Sequence, residues 1–211
     1  NGNIYRTIRD IAPDDLNYRG ETPTEYANTY FKESNVPENY WGDLVGMLRA
    51  FGINNATPFT TENIRQVINV EQWMTHLAVM NIFGNNETGL NTGYNDDYWI
   101  YFGVGDPRAI LVYWDLDTIL SQGGSQLFNA DIYTSTANNG SGQAISRFLN
   151  HPDFNPIYLR TLKQLLETTF AQSNFNATVD ETLGGYVTAG TITTIKNWMD
   201  QRRNYLLDSV L

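Results

Sequence analysis

One short stretch, residues 98–113, differs from the rest of the chain and limits the folds open to it. Residues 98–102 and 109–113 are rich in aromatic and β-branched side chains, and a turn containing Gly103, Gly105 and Pro107 joins them. This composition predicts a β-hairpin. In most of the remaining chain, apolar residues recur at helical spacing or give way to turn formers. The sequence therefore predicts a mainly α fold with one short two-stranded hairpin.

The 211 residues are enough for one domain, and their patterning divides them into five segments. Asp43 and Asn69 precede apolar helical patterns and are predicted N-caps, and Gly84 is a predicted helix stop. Around these signals the predicted segments are a loop-rich lead-in (1–42), helices (43–84), an acidic loop with the hairpin (85–120), a flexible Gly-, Ser-, Asn- and Thr-rich loop (121–142) and C-terminal helices (143–211).

Composition excludes several classes of function. The chain has no cysteine and only two histidines, so disulfides and thiolate zinc sites are excluded and a bound metal is expected to be a hard cation held by oxygen. A net charge of −10 argues against nucleic acid as a partner, because that binding depends on Lys and Arg. No apolar run is long enough to predict a membrane span. Abundant Asn and Thr with scarce Lys weakly favour a secreted or cell-surface bacterial protein.

Acidic side chains gather at the outer ends of the predicted hairpin. Asp96 and Asp97 come directly before its first strand, and Asp115 and Asp117 follow its second. Because the outer ends of a hairpin lie side by side, Asp97 and Asp115 are expected to approach each other. Converging carboxylates repel one another unless a divalent cation binds between them. The alternative is that these residues only form turns and caps, for which Asp is well suited.

Four short motifs follow one another through this region, at residues 85–89, 96–101, 106–108 and 114–118. In this order they resemble the core of the CotH (spore coat protein H) kinase family, which carries an Asn-x-Asp/Glu loop, an Asn/Asp-Tyr-x-Leu-Tyr strand and a Trp/His-Asp-Leu-Asp element. The opening residues 2–5 and the helical ending, including residues 151–154 and 201–203, also resemble that family. The resemblance covers nearly the whole chain, and four motifs in order are far more specific than any one of them.

The resemblance implies the C-terminal lobe of an atypical, kinase-like fold that uses ATP with Mg²⁺ or Mn²⁺. It implies that Glu87 lies where protein kinases hold their catalytic base, and that Asp115 holds the metal as the kinase Asp-Phe-Gly aspartate does. Asp117 is expected to be a further metal ligand or a supporting residue, and Asp97 lies near the position of the asparagine that helps to hold a second metal. Asn85, Asp97 and Asp115 are thus the expected nucleotide- and metal-binding residues. The implied acceptor is Ser or Thr of a secreted or surface protein.

Two departures from the family pattern affect the expected activity. Glu87 stands where many members have Asp, and one additional methylene shifts a carboxylate by about 1.5 Å in a reaction that depends on positioning. The family's N-terminal lobe, with its phosphate-contacting lysine, would precede Gly2. We therefore expect this chain alone to be a poor kinase that needs the N-terminal lobe of the same protein.

Two other functions stay open at this point. The first is a catalytically weak or inactive kinase-like module used for binding or adhesion in a secreted multidomain protein. The second is a calcium-stabilised structural domain, which the lack of an EF-hand pattern makes the least favoured. His76 and most of the five tryptophans are expected in the core rather than at a catalytic or sugar-binding site; the tryptophans are Trp41, Trp73, Trp99, Trp114 and Trp198.

Overall fold

A computed structural model describes residues 2–7, 16–87, 90, 97–133 and 141–211, with the backbone alone for 141 and 142. Within these ranges there are seven α-helices and one four-stranded antiparallel sheet. The strands are β1 (Asn3–Thr7), β2 (Tyr30–Lys32), β3 (Tyr98–Phe102) and β4 (Ile110–Tyr113). The helices are α1 (Gly42–Phe51), α2 (Thr61–Val67), α3 (Val70–Ile82), α4 (Ser141–Leu149), α5 (Asn155–Glu167), α6 (Gln172–Leu183) and α7 (Ala189–Ser209).

The predicted hairpin is present, but the prediction that it stands alone is wrong. Strand order in the sheet is β2-β1-β3-β4, with β3 and β4 as the hairpin. β1 pairs with β3 across 95 residues of chain, with Tyr5 opposite Ile100, and β2 pairs with β1. Both additional strands come from the lead-in that was predicted to be loop. Short 3₁₀ turns at Pro23–Glu25 and Val36–Glu38 flank β2.

The local start and stop signals in the sequence are largely correct. Asn69 caps α3 through a hydrogen bond from the Gln72 amide to its side-chain oxygen, and Gly84 follows the helix with a left-handed φ of 63°. Asp43 is an exception, because it lies inside the first turn of α1 rather than at the cap. Its carboxylate accepts hydrogen bonds from the Tyr5 hydroxyl (2.7 Å) and the Asn3 amide (2.6 Å), which tie β1 to α1.

The core lies between one face of the sheet and the helices. Tyr5, Tyr98 and Ile100 point into it from the strands and Trp73 from α3, and all four are fully buried. Helix α3 packs against β4, α5 and α7 and is thus the central helix of the domain. In the described part of the chain, every helix is too short or too polar to cross a membrane.

Candidate active site

The register of the hairpin brings two predicted acidic residues to the same end of the sheet. Tyr98 pairs with Tyr113, so one further step along each strand places Asp97 beside Trp114, the residue before Asp115. Asp97 and Asp115 both have left-handed backbone conformations, with φ of 63° and 47°. Asp tolerates this conformation better than most residues, and here it turns the chain away from the sheet at both strand ends. Asp96 lies outside the described residues.

A tight turn after α3 shapes the loop that contains Asn85 and Glu87. The Asn85 amide donates to the carbonyl of Met80, and the Asn85 side-chain oxygen accepts a 3.1 Å hydrogen bond from the backbone of Glu87. This is an Asx turn, in which a side chain fixes the backbone two residues further on. Asn85 is fully buried. It therefore sets the direction in which the loop presents Glu87.

Hydrogen bonds join this loop to the segment that follows the second acidic pair. The backbone amide of Leu120 donates to Phe83 (2.9 Å), and that of Gln126 donates to Gly84 (2.8 Å). The Gln126 side chain adds a 3.0 Å bond to the carbonyl of Asn85, and Asn86 reaches the carbonyl of Gly124 at 3.2 Å. The loop 84–87 and the segment 115–126 are thus one unit, although the sequence separates them by the whole hairpin.

The carboxylates of Asp115 and Asp117 are exposed to solvent. Within the described ranges, neither has a hydrogen bond or an ion pair with Lys or Arg. Their negative charges are therefore not neutralised by described parts of the chain. Glu87 and Asp97 are partly buried and have contacts of their own.

The arrangement fits one kind of metal site and not another. Among the described residues, no three Asp, Glu or His side chains form a group able to hold a metal ion. The three predicted ligands Asp97, Asp115 and Asp117 thus do not make a closed protein cage. Mg²⁺ instead commonly uses one or two carboxylates and completes its shell with water and substrate phosphates. The open carboxylates after β4 suit that second arrangement.

Helix α3 supports the end of β4 through two residues that the sequence did not single out as functional. The Gln72 side chain donates to the carbonyl of Leu111 (2.7 Å) and accepts from its amide (2.9 Å), as a neighbouring strand would. One turn later, His76 stacks on Tyr113 with ring centroids 4.2 Å apart. His76 is buried as predicted, and burial lowers its pKa to about 3, so the ring is neutral at physiological pH.

The outer face of the sheet beside these carboxylates is rich in aromatic side chains, with Arg6 lying between Phe31 and Trp99. Trp99 and Trp114 stack with centroids 4.8 Å apart, and Trp114 is 48% exposed. Val112 and Phe31 are also exposed on this face. Trp41, Trp73 and Trp198 are core residues as predicted, but Trp114 is not. Trp114 stacks on Trp99 on the outer face of the sheet, the side away from the core residues Tyr98 and Ile100.

A cavity of about 280 Å³ lies at the opposite end of the hairpin. Tyr101, Ile110 and the turn from Gly103 to Arg108 line it, and Asp106 forms an ion pair with Arg108 at 2.6 Å. This bond and a backbone hydrogen bond from Arg108 lower the pKa of Asp106 to about 2. Because Tyr101 is four residue steps from Asp97, roughly 13 Å along the strand, the cavity is not part of the candidate site.

Helices pack against a small antiparallel sheet, and acidic residues flank two of its strands at the same end, an arrangement compatible with a kinase-like domain. The family described as CotH kinase protein matches residues 1–187. The chain belongs to the CotH kinase family, as its motifs predicted. No curated protein matches it. Helix α7 lies beyond the matched residues.

Proposed function

We propose that this domain is a metal-dependent phosphotransferase that moves the terminal phosphate of ATP to a hydroxyl group, with the fold of a kinase C-terminal lobe. The observation that carries the proposal is the set of hydrogen bonds from Leu120 to Phe83 and from Gln126 to Gly84. They hold the Glu87 loop against the segment that begins with the open carboxylates of Asp115 and Asp117. Family membership supports the reaction class, and this junction is where we propose that the reaction takes place.

The proposed roles follow from position and charge. Asp115, exposed after β4, would hold Mg²⁺ or Mn²⁺, with Asp97 or Asp117 as a second oxygen ligand and Asn85 supporting the nucleotide side of the site. The bound ion would neutralise charge on the ATP phosphates. Glu87, presented by the Asx turn of Asn85, would accept a hydrogen bond from the acceptor hydroxyl and orient it. Positioning and charge neutralisation account for most catalysis in phosphoryl transfer, so few groups suffice.

The acceptor we propose is a Ser or Thr of a secreted or surface protein, and the N-terminal lobe of the same protein would complete the nucleotide site. Both rest on the family and on composition. We place the protein outside the bacterial cytoplasm for the same reasons.

The test uses the complete protein with Mg²⁺ or Mn²⁺ and labelled ATP. Asp115→Asn should lower phosphate transfer at least tenfold, because the amide loses the charge that attracts the ion. Asp106→Asn is the matched control, since Asp106 lies at the other end of the same hairpin, and it should leave transfer near the wild-type rate. Wild-type protein that neither binds ATP nor transfers phosphate would refute the proposal, as would equal rates for D115N and wild type.

A second candidate function is a binding or adhesion module that has the fold without the chemistry. The exposed side chains of Val112 and Trp114, next to the stacked Trp99, favour it, because exposed apolar patches commonly mark interaction sites. Binding of the complete protein to a polysaccharide or surface protein should then be lost in Trp114→Ala and kept in Asp115→Asn. The opposite pattern would favour the phosphotransferase.

A further inference from the structure

Helix α7 carries a fully buried arginine, Arg202, that contacts the chain next to both parts of the candidate site. Its guanidinium donates to the backbone carbonyl of Asn81 at 3.1 Å and to the Asn81 side-chain oxygen at 2.7 Å. On its other side it donates to the carbonyls of Phe128 (2.8 Å) and Ala130 (2.5 Å). One guanidinium therefore bridges two chain segments that are nearly 50 residues apart.

These two segments lead directly into the candidate site. Asn81 is in the last turn of α3, three residues before Gly84, where the Glu87 loop begins. Phe128 and Ala130 follow Gln126, whose amide holds that loop. The Asn81 side chain also donates to the carbonyl of Ile132 at 3.2 Å, and the buried Tyr158 hydroxyl donates to the same oxygen at 3.1 Å. The bridge is thus part of a buried polar network.

Trp198, one turn before Arg202 on the same helix, completes the contact. A Cβ atom built on Gly84 would lie 2.6 Å from the Trp198 ring, so the helix packs directly on this glycine. Gly84 is the residue whose carbonyl accepts from Gln126. Helix α7 therefore touches the junction itself at Gly84, and contacts the chain on either side of it at Asn81 and at residues 128–130.

The chemistry of the bridge requires arginine. Its planar head offers five N–H donors in fixed directions, and these hydrogen bonds end on carbonyl and amide oxygens. The Asn81 carbonyl lies at the C-terminal end of α3, where the helix dipole favours a positive charge. Burial lowers the pKa of Arg202 to about 10, which leaves it charged at physiological pH. A lysine has the charge but not the planar, forked geometry.

We propose that Arg202 is a positioning residue for phosphate transfer, and that α7, although beyond the family match, is a required part of the working site. The inference rests on the proposed function only for its catalytic consequence. Arg202 would fix the distance between the end of α3 and residues 128–130. The loop 84–87 and the segment 115–126 would then keep their relative positions. We therefore expect that removing the Arg202 hydrogen bonds increases the local flexibility of the site.

The first measurement is amide hydrogen exchange in the complete protein, which does not depend on activity. Arg202→Met keeps the apolar stem and removes the donors, and it should raise exchange of the Leu120 and Gln126 amides at least tenfold. Amides of β3 and α6 should change much less. The control is Arg203→Met on the same helix, because Arg203 donates one hydrogen bond to Leu166 in α5 and does not contact the site. That variant should leave Leu120 and Gln126 protected.

The second measurement is phosphate transfer with Mg²⁺ and ATP. Arg202→Lys should lower kcat about tenfold with a smaller change in the KM for ATP, whereas Arg203→Lys should change neither. If R202M does not fold, the exchange measurement uses R202K as the test variant and R203K as its control. Unchanged protection of Leu120 and Gln126 would overturn the proposal, and so would a uniform loss of protection across the domain. If the wild-type protein transfers no phosphate but R202M shows the local increase in exchange, the proposed function is refuted. The role of Arg202 in holding the two segments together is then still supported.

Discussion

Two adjacent glycines in the turn after the acidic element have very different surroundings. Both have left-handed φ, 57° at Gly123 and 88° at Gly124. A Cβ atom at Gly123 would lie 2.2 Å from the backbone oxygen of Asp117, whereas one at Gly124 would meet nothing within 4 Å. Gly123 therefore sets how closely the turn approaches Asp117. An added Cβ has room at Gly124, whose carbonyl still accepts from Asn86, so only the left-handed conformation favours glycine there.

Alanine at these two positions separates the two effects. Gly124→Ala should cost about 1 kcal/mol of unfolding free energy for the left-handed conformation alone. Gly123→Ala should cost roughly 3 kcal/mol, because the clash adds to that term. It should also weaken Mn²⁺ or ATP binding, which G124A should not. Urea unfolding and ligand titration of the two variants test this; equal losses would show that the close approach to Asp117 is unimportant.

His76 gives the domain a specific sensitivity to acid. Its folded pKa is about 3, whereas a histidine in the unfolded chain titrates near ~6.5. Above pH ~6.5 the ring is neutral in both states and contributes no pH dependence. Between these two values only the unfolded state binds the proton, so the free energy of unfolding falls as the pH is lowered.

His76→Phe keeps a ring against Tyr113 and removes the titration. From pH 7 to pH 5, its unfolding free energy should fall by about 2 kcal/mol less than that of the wild type. Urea denaturation at the two pH values measures the difference. His151→Phe, at the other histidine of the chain, is the control for the substitution itself, because its side chain is not fully buried. Parallel pH profiles for H76F and wild type would contradict the prediction.

At the scale of elements, the sequence was informative where structure is local. The hairpin, the cap at Asn69 and the stop at Gly84 were readable because their determinants are a few residues apart. β1 and β2 were not, because their partners are distant and β2 has only three residues. For the site, the position of Asp97 and Asp115 at the same end of the sheet follows from hairpin geometry. The joining of residues 84–87 to residues 120–126 does not, since it depends mainly on backbone amides that every sequence has.

The Gln72 side chain takes the place of a neighbouring strand at the edge of β4, because it bonds both the amide and the carbonyl of Leu111. Gln72→Leu would leave the amide and carbonyl of the buried Leu111 without these bonds, at a cost of about 1–3 kcal/mol. Gln66→Leu on the exposed side of α2 should cost less than roughly 0.5 kcal/mol. Chemical denaturation of both variants checks this, and similar costs would mean that Gln72 is not a strand partner.

At the scale of the whole molecule, the family match and the folded unit have different limits. The match ends at residue 187, but α7 begins at Ala189 and buries apolar side chains in the common core. The burial of Ile195, Trp198, Met199 and Leu206 contributes about 6–12 kcal/mol. This is comparable with the roughly 5–15 kcal/mol that stabilises a typical domain.

Ending the chain after residue 187 should therefore abolish cooperative folding. Circular dichroism during heating should show no sharp transition for this variant, whereas removal of only Val210 and Leu211 should leave the transition in place. A truncated chain that unfolds cooperatively near the wild-type temperature would show that α7 is an accessory helix.

The stacked pair of Trp99 and Trp114 has a practical consequence for study of this protein. Trp114 directly precedes Asp115 and is half exposed, while Trp41, Trp73 and Trp198 are shielded from water. Iodide or acrylamide should thus quench mainly the emission of this stacked pair, because Trp99 is also partly exposed. An ion or nucleotide that settles beside Asp115 would alter that quenching, so the native chain carries its own optical reporter and needs no attached dye.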